Sequence, residues 1–178
     1  LKIGSNDQPI LAKKGDDLRI DWGYLYLAAD SSVATATLAS SLELRSAFAT
    51  LKKADIKTGI EGAVAADSAL ASLTFANIKV SSQPVSRWLM LAYDDLYSIQ
   101  YMRKNLRPYW RRNGWEAADL LQAAAKDLPA LRQRCHDFDQ ELMADLTRAG
   151  GENYASLAAL AYRQCFAAGK FVADDHGQ

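Results

Sequence analysis

Leu131-Arg132-Gln133-Arg134-Cys135-His136-Asp137-Phe138-Asp139-Gln140-Glu141-Leu142-Met143-Ala144-Asp145-Leu146-Thr147-Arg148-Ala149-Gly150-Gly151 is the stretch that decides the fold. Leu131, Cys135, Phe138, Leu142 and Leu146 recur at intervals of four, three, four and four residues, the spacing that lines one face of an α-helix. Pro129 suits the first turn of this helix, where its missing donor is harmless. The alanine- and leucine-rich Glu116 to Lys126 is then a separate, preceding helix. Beyond the two glycines, Tyr154, Leu157, Ala158, Ala161, Tyr162, Cys165 and Phe166 repeat the stripe. Two amphipathic helices joined by Ala149-Gly150-Gly151 predict a helical hairpin whose apolar faces bury one another. One hairpin is too little to enclose a substrate cavity, and the chain stops at Asp175-His176-Gly177-Gln178, short of further hairpins.

Upstream the pattern changes. Leu18 to Leu27 puts Ile20, Trp22, Tyr24 and Tyr26 on one strand face and Leu25 and Leu27 on the other, as in a sheet covered on both sides. Gly23 interrupts it, as a bulge, a close backbone approach or a tolerated glycine. Ser40 to Thr50 and Leu73 to Val80 carry short apolar patterns, Ser31 to Ser41 is rich in Ala, Ser and Thr, and Lys52 to Gly59 reads as a solvated connection. After Ser81-Ser82-Gln83-Pro84, the residues Trp88 to Tyr101 suit an interdomain segment or a first helix, and Pro108 marks a further break. The predicted fold class is α+β. Residues 1–86 form a β-sandwich-like part, and residues 87–178 a linker and antiparallel helical region.

The 178 residues are 49% apolar, enough for a real core in one medium domain or two small ones. Lys plus Arg and Asp plus Glu both number 21, and a pI near 6.9 leaves no global field to favour nucleic acid or an anionic membrane. No apolar run approaches the roughly 20 residues of a membrane span. Leu1-Lys2-Ile3-Gly4 carries neither an initiating Met nor a signal-like stretch, as at a cut end. Cys135 and Cys165 are read either as small apolar packing groups or as a disulfide between adjacent helices. With only His136 and His176 as histidines, a structural zinc site is not expected. No cofactor is called for either, since phosphate-loop, nucleophile-elbow and zinc-protease patterns are missing from the sequence.

The chemistry-bearing residues cluster between Leu91 and Trp115. Asp94 and Asp95 are adjacent, so they face opposite sides of a strand or diverge by about 100° on a helix. A carboxylate facing a cleft would orient water, bind an amino group or act as acid or base. Its bland role is a cap or a salt-bridge partner for Arg111 or Arg112. Arg111 and Arg112 offer planar multi-donor contacts to a carboxylate, or brace a junction. Tyr97, Tyr101, Tyr109 and Trp110 supply walls or packing. Asp137, Glu141 and Asp145 share a helix face, which reads as a solvated acidic strip, since no loop adds the oxygen ligands of a calcium site. Cys165 has no demonstrable base with which to act as a nucleophile.

Asp21-Trp22-Gly23-Tyr24-Leu25-Tyr26-Leu27-Ala28, Tyr93-Asp94-Asp95-Leu96-Tyr97-Ser98-Ile99-Gln100-Tyr101 and Pro108-Tyr109-Trp110-Arg111-Arg112-Asn113-Gly114, in this order, resemble the secreted glutaminase A family of fungi and gut bacteria. Arg134-Cys135-His136, Phe138-Asp139, Glu141 to Leu146 and Ala161-Tyr162-Arg163-Gln164-Cys165 extend the likeness over most of the chain from Asp21 onward. The resemblance implies a larger enzyme outside the cytoplasm, secreted or periplasmic, which hydrolyses L-glutamine to L-glutamate and ammonia. It implies a β-sandwich-like domain followed by an α/α toroid of six helical hairpins, of which this chain holds the junction and the first helices. The residues placed in its site are Asp94 and Asp95 as catalytic or substrate-orienting groups, Arg111 or Arg112 as a carboxylate clamp, and Tyr97 as a supporting donor. Glycoside hydrolysis is the alternative chemistry on such a scaffold, and a noncatalytic structural module is the third reading.

Overall fold

The computed structural model describes residues 1–5, 7–12, 22–50, 65, 68–75, 78–174, 176 and 177. The expected strand residues Leu18 to Asp21, the connection Lys52 to Gly59, and the terminal Asp175 and Gln178 lie outside the described residues. The chain has a mixed α+β fold in which antiparallel sheets precede a helical region, and it divides into two compact units, Leu1–Asp95 and Leu96–Gln178. No described sheet closes into a barrel.

In the first unit β1 (Lys2–Gly4) pairs with β2 (Tyr24–Ala28), which pairs in turn with a strand from much later in sequence. A two-stranded sheet of β3 (Ala34–Ser40) and β4 (Ala69–Phe75) carries the helix α1 (Ser41–Thr50), whose Leu44 is buried. The small-residue stretch Ser31 to Ser41 thus resolves as strand over Ala34–Ser40, after a turn at residues 31–33 and before α1 begins at Ser41. The other partner of β2, which is the central strand, is β5 (Met90–Asp94), with Tyr24 opposite Asp94 and Ala28 opposite Met90. This corrects the first-helix alternative for Trp88 to Tyr101. The residues alternate in burial along β5, Leu91 and Tyr93 exposed and Ala92 half-buried, and that period of two belongs to a half-covered strand rather than a helix.

The second unit begins with a hairpin of β6 (Ile99–Tyr101) and β7 (Lys104–Pro108), to which β8 (Val172–Ala173) adds from the chain's end. A small sheet therefore sits where only linker and helix were expected. Pro108, without a donor, ends β7 and opens a one-turn 3-10 helix at Tyr109–Asn113. The helix α2 (Ala117–Ala168) follows, and Asp119 Oδ2 accepts a 2.9 Å hydrogen bond from the backbone N–H of Glu116 at its start.

Pro129 does not start a new helix. It lies inside α2, because strong helix formers on both sides outweigh a lost donor that costs about 3 kcal/mol in a helix interior. The true break is Gly151, at φ 79° and ψ 178°, a conformation open essentially to glycine alone. There the chain reverses. The rings of Phe138 and Tyr162 lie 6.0 Å apart between centroids, whereas a straight helix would carry residues this far apart in sequence about 36 Å from each other. The predicted hairpin is present, but mutual burial of its predicted stripes is not: on the second limb Tyr154, Leu157, Tyr162 and Phe166 are exposed and only Ala158 is half-buried. Ala155 is fully buried and Leu142, Leu146 and Ala158 are half-buried, while Leu131, Phe138 and Phe166 farther along remain exposed.

Candidate functional site

The two carboxylates singled out in the sequence end the first unit. Asp94 closes β5 and Asp95 follows it, and they are only 2% and 4% exposed. Alternation would have sent them to opposite faces. Both are buried because the strand ends between them, and Leu96 turns the backbone to a left-handed φ of 57°.

A compact node of backbone contacts holds the pair. Trp22, itself buried, donates from Nε1 to the carbonyl of Asp95 at 2.7 Å, and the hydroxyl of Tyr93 donates to the carbonyl of Trp22. Gly23, at φ 94°, passes so close to β5 that a Cβ built on it would stand 2.2 Å from the carbonyl oxygen of Asp94. Of the three readings of that glycine, close backbone approach is the one the structure shows. Gln8 completes the node, its side-chain oxygen accepting the N–H of Gly23 at 2.6 Å. Sequence reasoning missed Gln8, whose segment carries no periodic pattern. The stretches around Trp22-Gly23 and Tyr93-Asp94-Asp95 are thus one structural object.

The remaining candidates belong to the second unit, where each is engaged separately. Arg111, 9% exposed, donates from Nη1 to Glu116 Oε1 at 2.9 Å and to the carbonyl of Trp115 at 3.4 Å, with its guanidinium 4.6 Å from the Trp110 ring centroid. Its partner Glu116 is largely exposed and was not foreseen. Arg112 is exposed, donates to the carbonyl of Tyr109 at 3.0 Å and lies 3.8 Å over that residue's ring. Tyr97 receives a 3.4 Å hydrogen bond from Arg107, whose guanidinium lies 5.2 Å from the tyrosine ring centroid. Three arginines are therefore fixed over three aromatic rings, each by a different local contact. The ring of Tyr109 also meets Phe171 edge-on at 5.8 Å, which ties the start of the hairpin to its end.

Concave surface lies elsewhere in this unit. A groove of about 710 Å³ runs along one face of the first limb past Leu131, Arg132, Cys135, His136 and Asp139, and a recess of about 20 Å³ is bounded by Lys104, Asn105, Leu106, Asp174 and His176. Neither is lined by Asp94, Asp95, Tyr97, Arg111 or Arg112. Among the described residues no group of three or more His, Cys, Asp or Glu is placed to hold a metal ion, and no helix is long and apolar enough to cross a membrane.

A family described as a domain of unknown function, DUF5127, matches residues 1–145. The chain belongs to the DUF5127 family. Its match takes in the whole node of Gln8, Trp22, Gly23 and Tyr93 together with all five candidate site residues, and ends within the first limb of α2. No curated protein and no solved structure matches the chain.

Proposed function

We propose that this DUF5127 chain is part of a secreted or periplasmic hydrolase of the glutaminase A kind, acting on the side-chain amide of L-glutamine. In that reading the sheets of the first unit are the end of a β-sandwich-like domain, and the hairpin of α2 is the first of an α/α toroid. The observation that carries the proposal is the burial of two adjacent carboxylates at a node built from the motifs that the resemblance rests on. Burying two acids side by side is costly unless they are partnered, and a node that holds them there by glycine and tryptophan contacts to their own backbone suits a positioned functional pair.

The chemistry assigned to Asp94 and Asp95 is to orient and deprotonate a water that attacks the amide carbon. The C–N bond then breaks, and ammonia leaves with the proton passed to it. Within the second unit taken by itself, Arg112 is the arginine better able to hold a carboxylate. The charge of Arg111 is already answered by Glu116, whereas Arg112 is exposed, and its contact to the Tyr109 carbonyl uses one of five donors.

A second reading, a structural module without catalysis of its own, is favoured by the engagement of Arg107, Arg111 and Arg112 with neighbouring rings and carbonyls. Ammonia release from L-glutamine separates the two. It would be measured at equal molar concentration for this chain, for a longer protein containing it, and for the Asp94→Asn and Asp95→Asn variants of whichever is active. Activity lost in either variant with the fold intact supports an acid-centred site. Activity indifferent to both substitutions makes the node structural. A folded longer protein that releases no ammonia rules out glutamine and directs the assay to glycosides.

A further inference from the structure

We propose that Lys2 is the group of the acid-centred site that binds the substrate's α-carboxylate, an inference that rests on the amide-hydrolase reading and narrows the substrate to a free amino acid. Residues directly opposite one another in an antiparallel pair share a face of the sheet. Gly4 stands opposite Tyr24, and Tyr24 opposite Asp94, so the three form one row across β1, β2 and β5. Lys2, Tyr26 and Ala92 form the next row of the same face, while Ile3, Leu25 and Tyr93 belong to the other. The Tyr24 ring leans toward β1. A Cβ built on Gly4 would stand 2.2 Å from Cδ1 and 2.7 Å from Cε1 of Tyr24, so the ring takes the place of the side chain that Gly4 lacks. The Lys2 ammonium turns back to lie 3.7 Å from the centroid of that ring. Lys2 is exposed, and no carboxylate among the described residues pairs with it. Its contact with the ring holds the ammonium in place and leaves its three donors for a ligand.

β1 and β5 are two strand spacings apart, roughly 10 Å. At that separation Lys2 is no direct ion-pair partner for Asp94, which would need contact within about 4 Å. It suits the far end of a ligand that reaches from the acid to the cation. Free L-glutamine is such a ligand. Its side-chain amide is the reacting end, met by the water that the acids orient, and its α-carboxylate is the end that a lysine holds as a point charge. A glutaminyl residue inside a peptide, whose carboxyl is in amide linkage, has no charge to offer Lys2.

The test follows side-chain amide hydrolysis by the longer protein containing this chain, with L-glutamine and with L-glutaminamide, whose α-carboxyl is an uncharged amide, the products being separated by chromatography. Lys2→Met keeps the apolar stem and removes the charge, and Lys2→Arg keeps the charge. Lys2→Met is expected to raise KM for L-glutamine about tenfold, the size of one charge-assisted hydrogen bond, with a smaller change in kcat. Its preference for L-glutamine over L-glutaminamide should fall by the same factor, and Lys2→Arg should recover most of it. An unchanged KM in Lys2→Met, or equal losses on the two amides, overturns the assignment of Lys2, and an inactive Asp94→Asn in the same protein then leaves the amide-hydrolase reading standing. A folded longer protein that cleaves neither amide overturns that reading and this inference with it.

Discussion

Gly23→Ala is the substitution that most directly tests how the acidic pair is held. The new methyl would stand 2.2 Å from the carbonyl oxygen of Asp94 and 3.0 Å from the Cα of Asp95. Neither neighbour is the yielding end of a flexible side chain. The Asp94 carbonyl belongs to a strand in register with β2, and the Asp95 carbonyl takes the Trp22 indole hydrogen bond. Relieving the clash means moving β5 away from Trp22. A residue with a Cβ at φ 94° adds about 1–2 kcal/mol of backbone strain, and loss of one buried hydrogen bond adds about 1 kcal/mol. The sum, about 2–3 kcal/mol, is a large part of the roughly 5–15 kcal/mol that stabilises a domain. Urea unfolding followed by tryptophan fluorescence and near-ultraviolet circular dichroism should show the midpoint falling by about 1–2 M. Gly114→Ala is the control, because Gly114 also has a positive φ of 76° but nothing within 4 Å of a built Cβ. If the two variants unfold at the same urea concentration, the close approach of Gly23 to β5 is not a constraint and the node described around it is wrong.

The turn joining β6 to β7 puts both Met102 (φ 47°) and Arg103 (φ 66°) in the left-handed region, so Met102→Asn with Arg103→Gly should stabilise the second unit by about 1 kcal/mol; slower amide exchange in Ile99–Tyr101 would show it, and unchanged or faster exchange would refute it. Arg111→Ala should cost about 2 kcal/mol through lost packing and ring contact, whereas Glu116→Gln should cost less than about 1 kcal/mol because that carboxylate is 73% exposed. Equal losses in the two variants would mean that the ion pair, and not the packing of the guanidinium, is what matters. The hydroxyl of Ser32 foremost, then its backbone N–H, holds the Asp30 carboxyl below its ordinary 3.8 against a smaller opposing desolvation, with Arg87 adding the least pull. A carboxyl lowered by folding contributes stability above its unfolded value and loses it as pH falls through the folded one. An NMR titration should therefore place Asp30 below 3.8 and Ser32→Ala should raise it, and a native midpoint at or above 3.8 would contradict the geometry.

What was legible in this sequence was what short range decides. The hairpin could be read because Gly150-Gly151 and the stripes on either side are local signals, and a reversal at a glycine needs no distant partner. Pro129 was misread for the same reason: taken by itself it marks a helix start, but the helix formers around it decide cooperatively. Trp88 to Tyr101 misled because a run of large apolar residues is common to a covered strand and a helix, and the partner that settles it, β2, lies more than sixty residues upstream.

The candidate site divides along the same line. Asp94 and Asp95 stood out by residue type, but the alternation rule sends neighbours to opposite faces and applies only while the strand continues. The strand ends at Asp94, and the left-handed Leu96 redirects the chain two residues later. Burial of both acids is therefore a property of a strand terminus, and no periodicity along β5 would reveal it. Gln8 and Glu116 were invisible for a related reason. Each is a polar side chain whose importance lies wholly in the group it meets, the backbone of Gly23 for one and a buried guanidinium for the other. Gly23 was open to a bulge, a close approach or a tolerated glycine, and Arg111 to a clamp or a brace. The choice among these, and the residues that meet Gly23 and Arg111, are set by packing between segments, which a single sequence does not encode locally.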